Sequence, residues 1–61
     1  MRTVRTEEVG DVTIGVIGEN MGDGSEVFNL RIAEDGNVII IPCLGEPSAH
    51  EILDAIVENS L

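Results

Sequence analysis

Residues 27–44 read Val-Phe-Asn-Leu-Arg-Ile-Ala-Glu-Asp-Gly-Asn-Val-Ile-Ile-Ile-Pro-Cys-Leu. Two runs rich in β-branched and apolar residues flank Asp35-Gly36, a dipeptide typical of two-residue hairpin turns. A turn at these two residues pairs Glu34 with Asn37. Because side chains alternate along a strand, this register gathers six apolar groups on one face, namely Phe28, Leu30, Ile32, Ile39, Ile41 and Cys43. The stretch therefore predicts a central β-hairpin over residues 27–44.

The opposite face of this hairpin is uneven in polarity. Its first strand carries Asn29 and Arg31, which suit contact with solvent. Its second strand carries Val38 and Ile40, with Leu44 just beyond, and these three side chains would be apolar and exposed in a monomer. Exposed apolar patches commonly mark interaction sites. We therefore expect Val38, Ile40 and Leu44 to mediate self-association as a homodimer.

The residues before the hairpin divide into strands and turns. Residues 2–8 alternate loosely and carry several charges, which predicts a short polar strand at a sheet edge. Residues 9–11 are typical of a turn, and residues 12–17 predict a strand whose inner face holds Val12, Ile14 and Val16. Residues 18–25 contain three glycines together with Asn, Asp and Ser, so they predict a loop.

The C-terminal residues have the pattern of an amphipathic helix. Ser48-Ala49-His50-Glu51 matches a capping box, which predicts a helix over residues 49–59. Its apolar stripe, expected to cover the hairpin, consists of Ala49, Ile52, Leu53, Ile56 and Val57. The side chains expected to face away from the sheet are those of His50, Glu51, Asp54, Glu58 and Asn59.

Together these elements predict a single small α+β domain over residues 1–61. An antiparallel sheet of three to four strands, with the central hairpin at 27–44, packs against one C-terminal helix at 49–59. The alternative interprets residues 25–34 as a helix and gives a β-α-β-α unit. The alternation of Phe28, Leu30 and Ile32 favours the strand.

Charge and size exclude several classes of function. Twelve Asp and Glu residues against three Arg residues give a net charge of −9, which opposes binding to nucleic acids and anionic membranes. A chain of 61 residues buries only ~60% of its unfolded surface. Since the single cysteine, Cys43, excludes an internal disulfide, we expect a partner subunit to add stability.

The sequence also favours a cytoplasmic setting. The longest apolar run, Val38–Leu44, has seven residues, whereas a membrane-spanning helix needs about 20. Arg2 and Arg5 precede Thr6, Glu7 and Glu8 where a signal peptide would have an apolar segment. A lone cysteine without such a signal is typical of reducing compartments.

Three parts of the sequence are candidate sites for a ligand or for catalysis. Residues 14–22 resemble the first strand and glycine-rich turn of β-hydroxyacid dehydrogenases, but Glu19 or Asn20 replaces the second glycine, so no cofactor is expected. Residues 18–26 offer oxygen ligands for weak binding of a cation or small ligand, although they depart from the EF-hand pattern. Cys43 and His50 are separated by a short linker, but we expect a buried thiol and a surface imidazole rather than a catalytic pair.

The acidic residues give the leading functional hypothesis. Glu46, Glu51, Asp54 and Glu58 include helical spacings of three and four, so they predict an acidic helix face that binds a basic protein partner. We expect a small, non-enzymatic regulatory module without cofactor or metal. The alternatives are a nucleic-acid mimic that inhibits a nucleic-acid-handling protein, as in phage anti-defence proteins, and a weak cation- or ligand-binding domain using loop 18–26.

Overall fold

Three consecutive hairpins and one helix make up the chain in a computed structural model. The structure describes residues 1–60, so Leu61, which the predicted domain includes, lies outside the described residues. The sheet has the strand order β1-β2-β3-β4, with every neighbouring pair antiparallel. The elements are β1 (Arg2–Val9), β2 (Val12–Asn20), β3 (Glu26–Glu34), β4 (Asn37–Cys43) and α1 (Glu46–Asn59). The predicted α+β class is confirmed, and residues 25–34 contain a strand, not the alternative helix.

The central hairpin has the predicted register. Glu34 pairs with Asn37, and the pairing continues without a shift to Phe28 opposite Cys43. Both turn residues have positive φ, 49° at Asp35 and 82° at Gly36. Positive φ at both positions defines the turn type whose twist matches that of the flanking strands.

Strand β2 is longer than predicted. It continues past Ile17 to Asn20, so the first three residues of the predicted 18–25 loop lie in the sheet. A Cβ atom at Gly18 would lie 2.8 Å from Glu26 Oε2 and 3.2 Å from Phe28 Cε1, so a larger residue would displace the Glu26 side chain. This glycine therefore marks a close approach of neighbouring side chains inside a strand, not the start of a loop.

The helix begins earlier than the predicted residue 49, and the predicted capping box does not form. Gly45 is the N-cap, no side chain caps the helix, and Ser48 lies inside the first turn. The Ala49 amide donates to the Gly45 carbonyl at 3.2 Å. Pro47 accounts for the early start, because its fixed φ favours the first helical turn and its missing N–H would have no partner there.

The core lies between α1 and the two central strands. Its fully buried side chains are those of Ile14, Val16, Leu30, Ala49 and Leu53. The helix packs on β2 and β3 and has fewer contacts with β4. A helix is about 10 Å wide, whereas the outer strands of a four-stranded sheet lie roughly 14 Å apart. One helix therefore covers the centre of the sheet and leaves the margins open.

Strand β4 shows the consequence of this partial cover. Ile39 belongs to the apolar face that we expected the helix to cover, but 58% of it is exposed. The prediction was right about the face and wrong about burial. Within residues 1–60, no helix is both long and apolar enough to span a membrane.

The turn geometry predicts unequal effects of two substitutions at Gly36. Gly36→Ala forces a Cβ into the left-handed region and should lower the free energy of unfolding by about 1 kcal/mol. Gly36→Asn adds a larger side chain but tolerates positive φ, so its loss should be clearly smaller. Urea denaturation of both variants measures the difference, and equal losses would contradict the turn assignment.

The core predicts a contrast between two neighbouring helix positions. Leu53→Ala removes a fully buried side chain and should cost about 2–5 kcal/mol, enough to unfold a domain of this size. Ile52→Ala, at a residue 38% exposed, should cost less than about 1.5 kcal/mol. Far-ultraviolet circular dichroism against urea compares the two variants. A stable Leu53→Ala protein would show that the helix does not pack as described.

Candidate functional site

The side of α1 that faces β1 carries an ionic network. The Arg5 Nη2 atom lies 2.8 Å from Asp54 Oδ1, and its Nε atom lies 3.3 Å from Glu7 Oε1. The Arg5 pKa is raised, first by its hydrogen bond to Asp54. Asp54, which we expected to face away from the sheet, thus holds the helix to the edge strand. Because the carboxylate is largely exposed, this bridge adds only modest stability.

His50 belongs to the same network. We expected a surface imidazole, but it is half-buried, with Nε2 3.1 Å from Glu46 Oε2 and Nδ1 3.4 Å from Arg5 Nη1. A guanidinium group only donates hydrogen bonds, so Nδ1 accepts and Nε2 carries the proton that is donated to Glu46. Through these two contacts His50 links the first helical turn to β1.

Two of the four predicted partner-binding residues are thus engaged within the chain. Asp54 is bound to Arg5, and Glu46 is bound to His50. Glu51 and Glu58 are exposed and take part in no salt bridge among the residues that the structure describes. The predicted acidic face therefore reduces to two carboxylates, those of Glu51 and Glu58, that have no ionic partner among the described residues.

The predicted self-association residues are all exposed. The exposed fractions are 47% for Val38 and 51% for Ile40, and Leu44 is fully exposed. Ile39, between the first two, is exposed on the other face of the same strand. The exposure of Ile39 was not predicted, because alternation along β4 correctly placed this residue on the helix side of the sheet. The relative widths of the two layers predict this exposure, because one helix is narrower than a sheet of four strands.

An apolar groove lies between β4 and the helix. It has a volume of about 460 Å³ and is open to solvent along one side. Its lining is mostly apolar and consists of Pro42, Cys43, Leu44, Ser48, Glu51, Ile52 and Ala55. Pro42 and Cys43 of this lining belong to β4, so the groove lies at the same edge of the sheet as the exposed residues Val38, Ile39 and Ile40.

The loop after β2 uses its polar groups to build its own turn. Asn20 Oδ1 accepts from the Gly22 amide at 2.8 Å, and Asp23 Oδ1 accepts from the Ser25 amide at 2.9 Å. Hydrogen bonds from the Ser25 hydroxyl and amide lower the Asp23 pKa. Within residues 1–60, no three Asp, Glu, His or Cys side chains cluster in a way that could hold a metal ion. These contacts give loop 18–26 a structural role.

Cys43 and His50 are not brought together. Cys43 lies on β4 and its thiol donates to the Ile41 carbonyl at 3.5 Å, whereas His50 contacts Arg5 on β1. The strands β1 and β4 form opposite edges of the sheet, roughly 14 Å apart. The pair therefore cannot act as a nucleophile and its base within one chain.

An ion pair crosses the sheet at the opposite end from the β3–β4 turn. Arg2 on β1 and Glu26 on β3 meet over Gly18, with Nε 2.8 Å from Oε2 and Nη2 2.9 Å from Oε1. The absence of a Cβ at Gly18 leaves room for this bidentate contact. The hydrogen bond from Arg2 is the main cause that lowers the Glu26 pKa.

The lowered Glu26 pKa predicts a pH-dependent contribution to stability. Since the folded-state pKa lies below the ordinary value of 4.5, the contribution is present above that value and is lost as the pH falls through the folded-state pKa. Glu26→Gln should therefore be less stable than wild type at pH 7. The difference should vanish in acid, as followed by urea denaturation between pH 7 and pH 2.

Glu19→Gln is the matched control for this experiment. Glu19 is exposed, lies on the neighbouring strand and forms no salt bridge within residues 1–60. Its replacement should leave the stability at pH 7 nearly unchanged. A Glu26→Gln deficit that persists undiminished at the lowest pH would contradict the ion-pair explanation.

Comparisons with known proteins give this chain no relative: no family model, no curated protein and no solved structure matches it. No cofactor, partner or site residue can therefore be transferred from a relative. The acidic helix face and the apolar side of β4 are the two surfaces from which a function can be argued.

Proposed function

We propose that this protein is a small non-enzymatic interaction module that docks its acidic helix face on a basic protein partner and works as a homodimer. Glu51 and Glu58 make the central contacts with the partner, and Glu46 and Asp54 lie beside them. Val38, Ile40 and Leu44 belong to the self-association surface. A cytoplasmic setting, in which Cys43 stays reduced, fits this role.

The observation that carries the proposal is the pair of exposed carboxylates on α1. Glu51 and Glu58 lie seven residues apart, which places them roughly 10 Å apart along a rigid helix. Two of the three arginines, Arg2 and Arg5, already pair with carboxylates of the same chain. The net charge of −9 already includes all three arginines, and it speeds encounter with a basic surface.

The network around Arg5 supports the docking role in a second way. It holds α1 to β1 through Asp54 and His50, so the helix presents Glu51 and Glu58 from a fixed position. Little backbone freedom of the helix is then lost when these side chains meet cationic groups of the partner. A regulatory or inhibitory action would follow from occupying a basic surface that another ligand needs.

The proposal predicts that two double variants of equal charge behave differently. Wild type, immobilised under nuclease treatment, should retain a basic protein from native lysate, and moderate salt should release it. Glu51→Gln/Glu58→Gln should reduce that recovery about tenfold, because two interfacial ion pairs are lost. Glu8→Gln/Glu34→Gln removes the same charge from exposed positions on the sheet and should reduce recovery far less.

Other outcomes distinguish the alternatives. Equal losses in the two double variants would mean that net charge alone drives binding, which contradicts a defined helix site. Retention of no protein at low salt would contradict the docking proposal altogether. Displacement of the retained protein by DNA or RNA would identify nucleic-acid mimicry as the specific form of the docking.

A further inference from the structure

The two edges of the sheet differ in how they are protected against pairing with another strand. Edge strand β1 carries Arg2, Arg5, Glu7 and Glu8, and its register shifts between Thr3 and Arg5. Charges and bulges are the usual means of blocking edge-to-edge association. The other edge strand, β4, lies within residues 36–45, the longest uncharged segment of the chain.

The backbone groups of β4 alternate between β3 and the open edge. Because Glu34 and Asn37 close a two-residue turn, they exchange hydrogen bonds, and every second pair repeats this pattern. Asn37, Ile39 and Ile41 therefore bond to β3. Val38 and Ile40 direct their amide and carbonyl groups outward. Pro42 also falls on the outward side, where its missing N–H removes no bond to β3.

The free groups at this edge are complementary to themselves. Val38 and Ile40 lie symmetrically about Ile39, so a second β4 strand running antiparallel can pair Val38 with Ile40 of the other copy. Both such pairs then exchange two hydrogen bonds. Pro42 falls opposite Gly36, beyond the paired segment. A register centred on Ile40 would instead place Pro42 opposite Val38, where one of the donors is missing.

We infer that two copies of this chain join through their β4 strands, in antiparallel register centred on Ile39, to form one eight-stranded sheet. This inference rests on the homodimer in the proposed function and specifies how it is built. A strand of the same chain fits because the approach of a second polyanion is least repelled where no charge is present.

The exposed side chains of β4 favour this edge contact over face-to-face packing. Val38 and Ile40 project from one face of the strand, and Ile39 projects from the other. Packing of one sheet face on another covers Val38 and Ile40 and leaves Ile39 in water. Lateral pairing places apolar neighbours beside all three residues, on both faces at once.

The proposed pair also changes the surroundings of the apolar groove. A two-fold axis perpendicular to the sheet keeps both α1 helices on the same face. Each groove, which is lined by Pro42, Cys43 and Leu44, then lies at one end of the paired segment, and the groove of the second copy lies at the other end. The two Ile39 side chains lie between the grooves, on the floor formed by the joined sheet.

Disulfide trapping tests the register. Cys43→Ser removes the native thiol, and Ile39→Cys, Ile40→Cys or Met21→Cys adds one exposed cysteine to that background. In the proposed register the two Ile39 positions form a non-hydrogen-bonded pair with Cα atoms about 4.5 Å apart, within disulfide range. The Ile39→Cys protein should form at least about tenfold more covalent dimer under mild oxidation than either of the other two.

Sedimentation equilibrium of the wild type completes the test. A dimer is expected, and Ile40→Pro, which removes an outward amide without touching the bonds to β3, should raise the dissociation constant about tenfold or more. A wild type that stays monomeric up to about millimolar concentration overturns the inference and the homodimer together. A dimer trapped best through Ile40→Cys, or equally through Met21→Cys, overturns the register and leaves the homodimer standing.

Discussion

A single helix stabilises this fold by covering the two central strands of a four-stranded sheet. Ala49 and Leu53 of the helix are fully buried with Ile14, Val16 and Leu30 of the sheet, and these contacts form the hydrophobic core. The exposed parts of the sheet are the edge strands that the helix does not cover. Because the helix is narrower than the sheet, both edge strands remain partly uncovered and in contact with solvent.

The two edge strands differ in the side chains that they present to solvent. At β1, Arg5 binds Asp54 and contacts His50, so charged groups replace apolar cover. Arg2 and Glu26 add a second ion pair where Gly18 leaves space. At β4 there is no charge, and apolar side chains remain exposed on both faces. This asymmetry separates a solvated edge from an edge that suits a protein contact.

Local patterns were sufficient to predict much of this fold. Asp35-Gly36 determined the turn and the register of the hairpin, because few dipeptides accept positive φ at both positions. Alternation identified the inner face of β2, and helical spacing identified the stripe that holds Ala49 and Leu53. The predicted start of the helix was wrong, because Pro47 favours an earlier first turn than the capping pattern of Ser48 and Glu51 indicates.

The candidate site was only partly predictable from sequence. The acidic residues of α1 were visible in the sequence, but the sequence did not show that two of them have partners within the chain and two do not. Asp54 is paired with Arg5, which also contacts His50, and His50 in turn donates a hydrogen bond to Glu46. No local pattern records the pairing of residue 5 with residues 50 and 54, whereas Glu46 and His50 stand at the helical spacing of four. The exposure of Ile39 likewise depends on the position of the helix over the sheet, which alternation along one strand does not determine.

The central claim is that the open edge of β4 is paired in the working protein. Amide hydrogen exchange of the native chain, followed by NMR, tests it directly, because the Val38 and Ile40 amides point away from β3. If the edge is paired, the Val38 and Ile40 amides should exchange as slowly as those of Ile39 and Ile41. Their exchange should become faster on dilution. Fast exchange of Val38 and Ile40 at every concentration, beside protected Ile39 and Ile41, would contradict it.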